Sequence, residues 1–333
     1  MASRIAAAGW VVWFYVSKLL LPVGLTTIYP RWQVAGDRLW SFVPLAAWIA
    51  LLALLWERRK PWGRAPFAVV AYFSITLVPV LGLVAMAWAR FSLVADHLLY
   101  ASMCGIIAGT TALLATPLTR RPRPGRNWSR IACAVLLGGM VCALGAMTWR
   151  QAKNYRDRES LWAHATRLNG GSAVAHYNLA LAEASRGATV EAIDEFTKAI
   201  AVDPAYAEAY NNRGIANANS GARALAIQDF TRAIELKPDY GQAYNNRGGV
   251  LSDAGAREQA IRDYDRAIAL EPEHAYSYYN RAVAQFALQR YAAAWADVEA
   301  CTAHGGSVNP AFLRALAQAS PAPSGPPSRP AAR

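Results

Sequence analysis

Charge is scarce in this chain. Only 17% of its 333 residues are Asp, Glu, Lys or Arg, while 54% are hydrophobic, a balance too apolar for a wholly water-soluble protein. Acid is the scarcer sign, with 22 Asp and Glu against 34 Lys and Arg. Cysteine is limited to Cys104, Cys133, Cys142 and Cys301. Three of these lie in apolar stretches, so no disulfide framework is expected. The histidines, His97, His164, His176, His274 and His304, show no metal-ligand spacing among themselves or with the cysteines, and no metal site is expected. There is no G-x-S-x-G, P-loop or dinucleotide fingerprint, which removes the enzyme classes those motifs mark, and no cofactor is expected in the chain itself.

The formal net charge of +12 invites a nucleic-acid partner, but its location argues against one. Residues 172–308 hold 12 Lys and Arg against 17 Asp and Glu, so the second half is acidic. The basic residues gather in short clusters between apolar segments before residue 150, where membrane topology accounts for them. Five apolar segments, about 5–25, 40–56, 66–88, 98–116 and 131–149, each approach the roughly 20 residues that a helix needs to cross hydrocarbon. No small-residue cleavage pattern follows Pro22 to Leu25, so the first segment is read as a retained span. Arg58, Arg59, Lys60 and Arg64 separate the second and third spans, and Arg120, Arg121, Arg123, Arg126 and Arg130 the fourth and fifth. The alternate loops carry only Arg31, Arg38 and Arg90. The positive-inside rule therefore makes loops 57–64 and 117–130 cytoplasmic and everything after residue 150 extracytoplasmic, periplasmic in a bacterial inner membrane. Tryptophans near the span ends, such as Trp32, Trp56, Trp62 and Trp149, fit an interfacial aromatic belt.

After residue 150 the chain repeats itself. Gly170, Pro204, Pro238 and Pro272 fall 34 residues apart, as do Ala192, Ala226, Ala260 and Ala294, and Phe196, Phe230, Tyr264 and Val298. A 34-residue period is that of the tetratricopeptide (TPR) helix hairpin. The fold class expected is all-α, about five transmembrane helices followed by a TPR solenoid. Four repeats are read at 173–206, 207–240, 241–274 and 275–308, within a domain spanning 172–308. Gly187, Gly221 and Gly255 mark the intra-repeat turns, where Gln289 departs from the pattern. Residues 150–171 read as a half-repeat bridge helix, because Trp162 lies 34 residues before Phe196 and Ala165 34 before Ala199. Such a bridge would fix the array to the last span without a flexible linker. Asn309-Pro310 would cap and open a closing helix, 309–319, and 320–333 is a Pro-rich tail expected to be disordered.

Two polar sets share the period. Arg213 with Asp229, Arg247 with Asp263 and Arg281 with Asp297 place an arginine on the first helix and an aspartate on the second, so an internal ion pair is expected. Repeat one has Leu179 and Glu195 at these positions. The second set is an asparagine ladder, Asn178, Asn212, Asn246 and Asn280, which should face the inner groove of a TPR array. An amide offers both a donor and an acceptor, which suits the backbone of an extended peptide. A hydrogen bond between helices of the array is the alternative. The ladder resembles the peptide-contacting asparagines of the TPR domain of O-GlcNAc transferase.

Three stretches resemble the transmembrane-and-TPR (TMTC-like) O-mannosyltransferases, C-type glycosyltransferases that use polyprenyl-phosphate sugar donors. Tyr15 to Trp32, YVSKLLLPVGLTTIYPRW, is similar to a K-x-x-x-P-x-x-L…Y-P segment. Val94 to Met103, VADHLLYASM, is similar to A-[DE]-R-x-x-Y-x-P, with His97 in place of arginine and Ser102 in place of proline. Trp149 to His164 is similar to the bridge into the first repeat. The resemblance implies a catalytic acidic pair in the first extracytoplasmic loop, where this chain has only Asp37. Asp96 is the one acidic candidate at the outer face, a group able to orient a hydroxyl, and Lys18, Arg90 and His97 are candidates to meet a lipid phosphate. The resulting expectation is a membrane-anchored TPR protein that binds a polypeptide partner and contacts membrane lipids, the acceptor-binding part of such a transferase without its catalytic loop. Two readings stand beside it: an active protein O-glycosyltransferase completed by upstream sequence or a partner chain, and an assembly scaffold for membrane complexes.

Overall fold

The computed structural model describes residues 2–20, 34, 37–61, 64–77 and 127–321, and every regular element among them is helical. The chain divides into two compact units, one up to Ala175 and one from His176.

In the first unit, α1 (Ala2–Leu20), α2 (Val43–Glu57, entered through a 3-10 turn at Leu39–Phe42) and α3 (Ala65–Leu77) pack around Val11, Tyr15, Trp48, Phe73 and Leu77. Gly9 allows the close approach of α1 to α2, because a Cβ there would lie 2.5 Å from the Leu45 backbone nitrogen. Buried indoles need a partner for their N–H: Trp48 donates to Ser74 Oγ at 3.0 Å, and Ser74 donates to the Val70 carbonyl at 2.7 Å. Around this small core, large apolar side chains such as Ile49, Leu54 and Ile75 face outward.

Among the described residues one helical stretch, Leu39–Glu57, is long and apolar enough to cross a membrane, and Ile5–Lys18 and Ala65–Leu77 are shorter apolar helices. Five spans are therefore an expectation that the described residues meet only in part. The expected third span runs past Leu77, and the fourth, 98–116, lies outside the described residues. The fifth falls within α4 (Asn127–Ala152). That helix gives way to a 3-10 turn at Lys153–Tyr155 and then to α5 (Arg158–Leu168), whose N-terminus is capped by the Asp157 side chain accepting from the Ser160 amide at 2.7 Å. The bridge is thus two helical pieces with a break, since Asp157 is extended and cannot continue α4.

From α6 (Ala173–Ser185) the hairpins follow: α7 (Thr189–Val202), α8 (Ala207–Asn219), α9 (Arg223–Leu236), α10 (Gly241–Asp253), α11 (Arg257–Leu270), α12 (Ala275–Ala287) and α13 (Tyr291–Ala303). The alanines of the 34-residue period are wholly buried, and small side chains here bring paired helices close enough for Phe196, Phe230 and Tyr264 to fill the space between them. Burying one such ring is worth about 1.5–3 kcal/mol. The last repeat is closed by α14 (Pro310–Ala319), whose Leu316, Phe312 and Leu313 cover Ala282, Ala294 and Val298. Asn309 caps α14 by accepting from the Ala311 amide at 2.8 Å, and Trp295 Nε1 donates to the Ser320 carbonyl at 3.1 Å.

Each intra-repeat turn needs one residue in the left-handed region. Gly187, Gly221 and Gly255 supply it with φ of 79°, 82° and 86°, and Gln289 is forced to 56° at the same place. A side chain in that region costs about 1–2 kcal/mol. Gln289→Gly is therefore expected to raise the unfolding free energy by about 1 kcal/mol and Gly221→Ala to lower it by about as much. Urea unfolding followed by circular dichroism reads both, and equal stabilities for Gln289→Gly and the parent would refute the strain.

Candidate functional site

The first helix of each repeat has two working faces. At about 100° per residue, Tyr210, Arg213, Gly214 and Asn217 of α8 lie on one side. That side meets α9: Arg213 and Asn217 bond Asp229, and Gly214 receives the Phe230 ring. Glu208, Asn212, Ile215 and Asn219 fall on the opposite side. The 34-residue period carries the same division into the other repeats.

On the inward side the arginines are tied down. Arg213 donates through Nε and Nη2 to the two carboxylate oxygens of Asp229 at 3.0 and 2.6 Å. Arg247 does the same to Asp263 at 2.8 and 2.8 Å, and Arg281 to Asp297 at 2.8 and 2.6 Å. Such paired bonds match the planar guanidinium fork to a carboxylate. The remaining arm of each fork reaches the second helix of the preceding repeat, Nη1 finding Thr197 at 3.0 Å, Thr231 at 3.1 Å and Asp265 at 2.5 Å. Tyr210, Tyr244 and Tyr278 lie beside the same guanidinium groups, with ring centroids 5.6, 5.7 and 5.8 Å away. Burial pushes the Asp297 carboxyl up, and the hydrogen bonds from Arg281 pull it back. The Asp263 hydrogen bonds hold Arg247 above its ordinary value, so it stays charged.

Repeat one solves the same problem with different residues. Leu179 offers no cation, and the longer Glu195 is met one turn earlier by His176, whose Nδ1 lies 2.6 Å from Oε2, and by Lys198 at 2.6 Å from Oε1. The sequence reading missed this pair. Its signal was the joint departure of positions 176, 179 and 195 from the tyrosine, arginine and aspartate of the other repeats.

On the opposite side the asparagine ladder runs between first helices. Asn212 Nδ2 donates to the Tyr177 hydroxyl at 2.8 Å, Asn246 to Asn211 Oδ1 at 3.0 Å and Asn280 to Asn245 Oδ1 at 3.1 Å. Asn211 Nδ2 in turn donates to Asn212 Oδ1 at 3.3 Å, so amides from two repeats form a relay that ends on Tyr177. The ladder thus makes the helix-to-helix bonds that were the alternative expectation. Each Nδ2 has two N–H groups, and one is spent here. Asn178 holds the equivalent place on α6. The row beside the ladder is Leu181, Ile215, Gly249 and Val283, aliphatic except in repeat three and partly open, with Leu181 38% and Ile215 37% exposed, and Tyr276 stands out at 55%.

At the repeat junctions Tyr177 and Tyr206 pack with ring centroids 4.9 Å apart. Burial, with the Glu208 carboxylate nearby, pushes the Tyr240 phenol up to about 12, so this hydroxyl stays neutral. A separate cavity of about 690 Å³ opens among Ile193 and Thr197 of α7, Tyr210, Arg213 and Asn217 of α8, and Leu225, Gln228 and Arg232 of α9; no ladder residue lines it. Of the other candidates, Lys18 lies on α1 with Nζ 5.5 Å from the Phe14 ring centroid. Asp96, Arg90 and His97 lie outside the described residues.

The family described as "TPR repeat" matches residues 181–221 and 248–289, and that described as "Tetratricopeptide repeat" matches 207–240. Both describe the repeats; neither describes a transferase or a membrane domain. No curated protein matches the chain. Among solved structures it is similar to MamA, at 22% identity over 47% of this chain and 91% of that one, with a TM-score of 0.43. It is similar to YrrB, a TPR protein with an unusual peptide-binding site, at 20% identity over 44% and 75%, TM-score 0.39. It is also similar to the first TPR of Spaghetti (RPAP3) bound to the HSP90 peptide SRMEEVD, at 28% identity over 35% and 93%, TM-score 0.35.

If the forks hold the hairpins together, Arg247→Ala strands the Asp263 carboxylate and should cost about 3–5 kcal/mol. Replacing both partners, Arg247→Leu with Asp263→Leu, should recover most of that loss. Urea melts of the two variants decide it, and a cost below about 1 kcal/mol for the single change would reduce the pair to ornament.

Proposed function

We propose that this tetratricopeptide-repeat chain holds an extended polypeptide segment on the free face of its first helices, close to a membrane in which its first unit is anchored. The observation that carries the reading is the composition of that face. Asn212, Asn246 and Asn280 each use one of two amide N–H groups in the bonds between helices, and the row beside them includes the part-exposed Leu181 and Ile215. A peptide backbone can use the amides whatever its sequence, and its side chains can use the aliphatic positions.

The amides also brace the array, so their removal mixes two effects. Asn212→Ala with Asn246→Ala is expected to weaken partner capture and to lower stability by about 1 kcal/mol per lost bond. Ile215→Arg changes only the outer face and should abolish capture while leaving the melt unchanged. Photocrosslinking from the full-length protein in membranes, followed by recovery of the crosslinked chain, reads this directly. Capture that survives Ile215→Arg would end the proposal.

Anchoring is supported by the apolar stretch Leu39–Glu57 and by outward-facing Ile49, Leu54 and Ile75 in the first unit. The asymmetry of basic loops then puts the array on the extracytoplasmic side. A reporter enzyme that matures only outside the cytoplasm, fused after Arg333, should be active, and an inactive reporter on an expressed fusion would reverse the orientation. The glycosyltransferase reading rests on the sequence resemblance alone and would need a polyprenyl-phosphate sugar donor and acidic residues supplied from elsewhere.

A further inference from the structure

The charge on the first-helix face narrows the partner, given the reading above. Helices α8, α10 and α12 carry one arginine each, Arg213, Arg247 and Arg281, and α6 carries no Lys or Arg. All three guanidinium groups are turned inward and bonded through both parallel arms to Asp229, Asp263 and Asp297. The outward face therefore presents no cation from these helices, while it presents two carboxylates, Glu208 and the exposed Asp253. Five other cations border the helices: Arg223 and Arg257 open α9 and α11, and Arg290, after α12, lies 3.8 Å from Glu258. Lys237 reaches Glu208 at 3.4 Å with both side chains substantially exposed, and Arg186 follows the end of α6. Tyr276 adds an exposed ring, whose face attracts cations.

We infer that this face takes an extended segment carrying lysine or arginine and rejects acidic tails. An incoming carboxylate would meet amides and carboxylates on a surface whose guanidinium groups are already spent, whereas an ammonium or guanidinium group would meet Glu208, Asp253 and the ring of Tyr276. Charge complementarity of this kind sets which partner is admitted more than how tightly the best one binds.

The test uses the full-length protein in detergent and three fluorescein-labelled peptides of equal length on one Ser/Asn/Leu background, bearing lysine, no charge or glutamate at alternate positions. Fluorescence anisotropy at low salt should rank them basic, neutral, acidic, with about a tenfold gap between the extremes that closes as salt is added. Asp253→Asn with Glu208→Gln should bring the basic peptide to the neutral peptide's affinity and leave the neutral one unchanged. Asn219→Asp, on the same face, should tighten the basic peptide, a gain that misfolding cannot produce. Equal binding of all three peptides overturns the charge selection and leaves the groove reading standing. Tighter binding of the acidic peptide overturns the selection outright. Failure of all three to bind brings down the groove reading, and this inference with it.

Discussion

A carboxylate buried between two helices must find a cation, and Asp229, Asp263 and Asp297 each sit on the second helix of a hairpin with little exposure. The guanidinium that answers it comes from the first helix of the same hairpin, and its spare arm reaches the second helix of the hairpin before. One side chain thereby joins three helices. The same bonds remove the positive charge of the first helices from the outer face, so the element that holds the repeats together also decides what that face can attract. Because the charges are paired and their hydrogen-bonding capacity is largely used, the arrangement avoids the penalty that a half-satisfied buried ion would carry.

The ends of the array show what happens when the neighbour changes. Repeat one replaces arginine by Leu179 and draws its cation and hydrogen-bond donor from Lys198 and His176. After repeat four, α14 covers the surface that a further hairpin would bury, with its Leu316 wholly buried. Terminal repeats of a stacked array must differ from internal ones because one of their faces would otherwise lie open to water. Gln289, held at a left-handed φ where the other repeats have glycine, belongs to this same last repeat.

The two polar sets on the first helices were both visible as 34-residue periods, yet they were legible to different degrees. The arginine and aspartate positions predict their own geometry, since opposite charges on facing helices at a fixed offset have one economical arrangement. The asparagine ladder does not. An amide can bond equally to a peptide or to a neighbouring helix, and the choice depends on what lies one repeat away, here Tyr177, Asn211 and Asn245. Those acceptors sit 35 residues back, one off the period, so a search for the period alone passes over them. The first unit was legible only as hydropathy, which indicates how much apolar surface a segment has and not which of its side chains meet one another.

The helical hairpins and their 34-residue phase can be read from the residues alone, because Ala, Gly, Phe and Pro recur where close packing, turns and helix ends demand them. So can the acidity of the array. That the arginines face inward and the amides bridge first helix to first helix is visible only in three dimensions. So is the outer face, which keeps Glu208 and Asp253 and presents no first-helix cation. The reason is physical: periodicity states which residues share a face, whereas the partner of a polar group is set by distances between helices far apart in the chain.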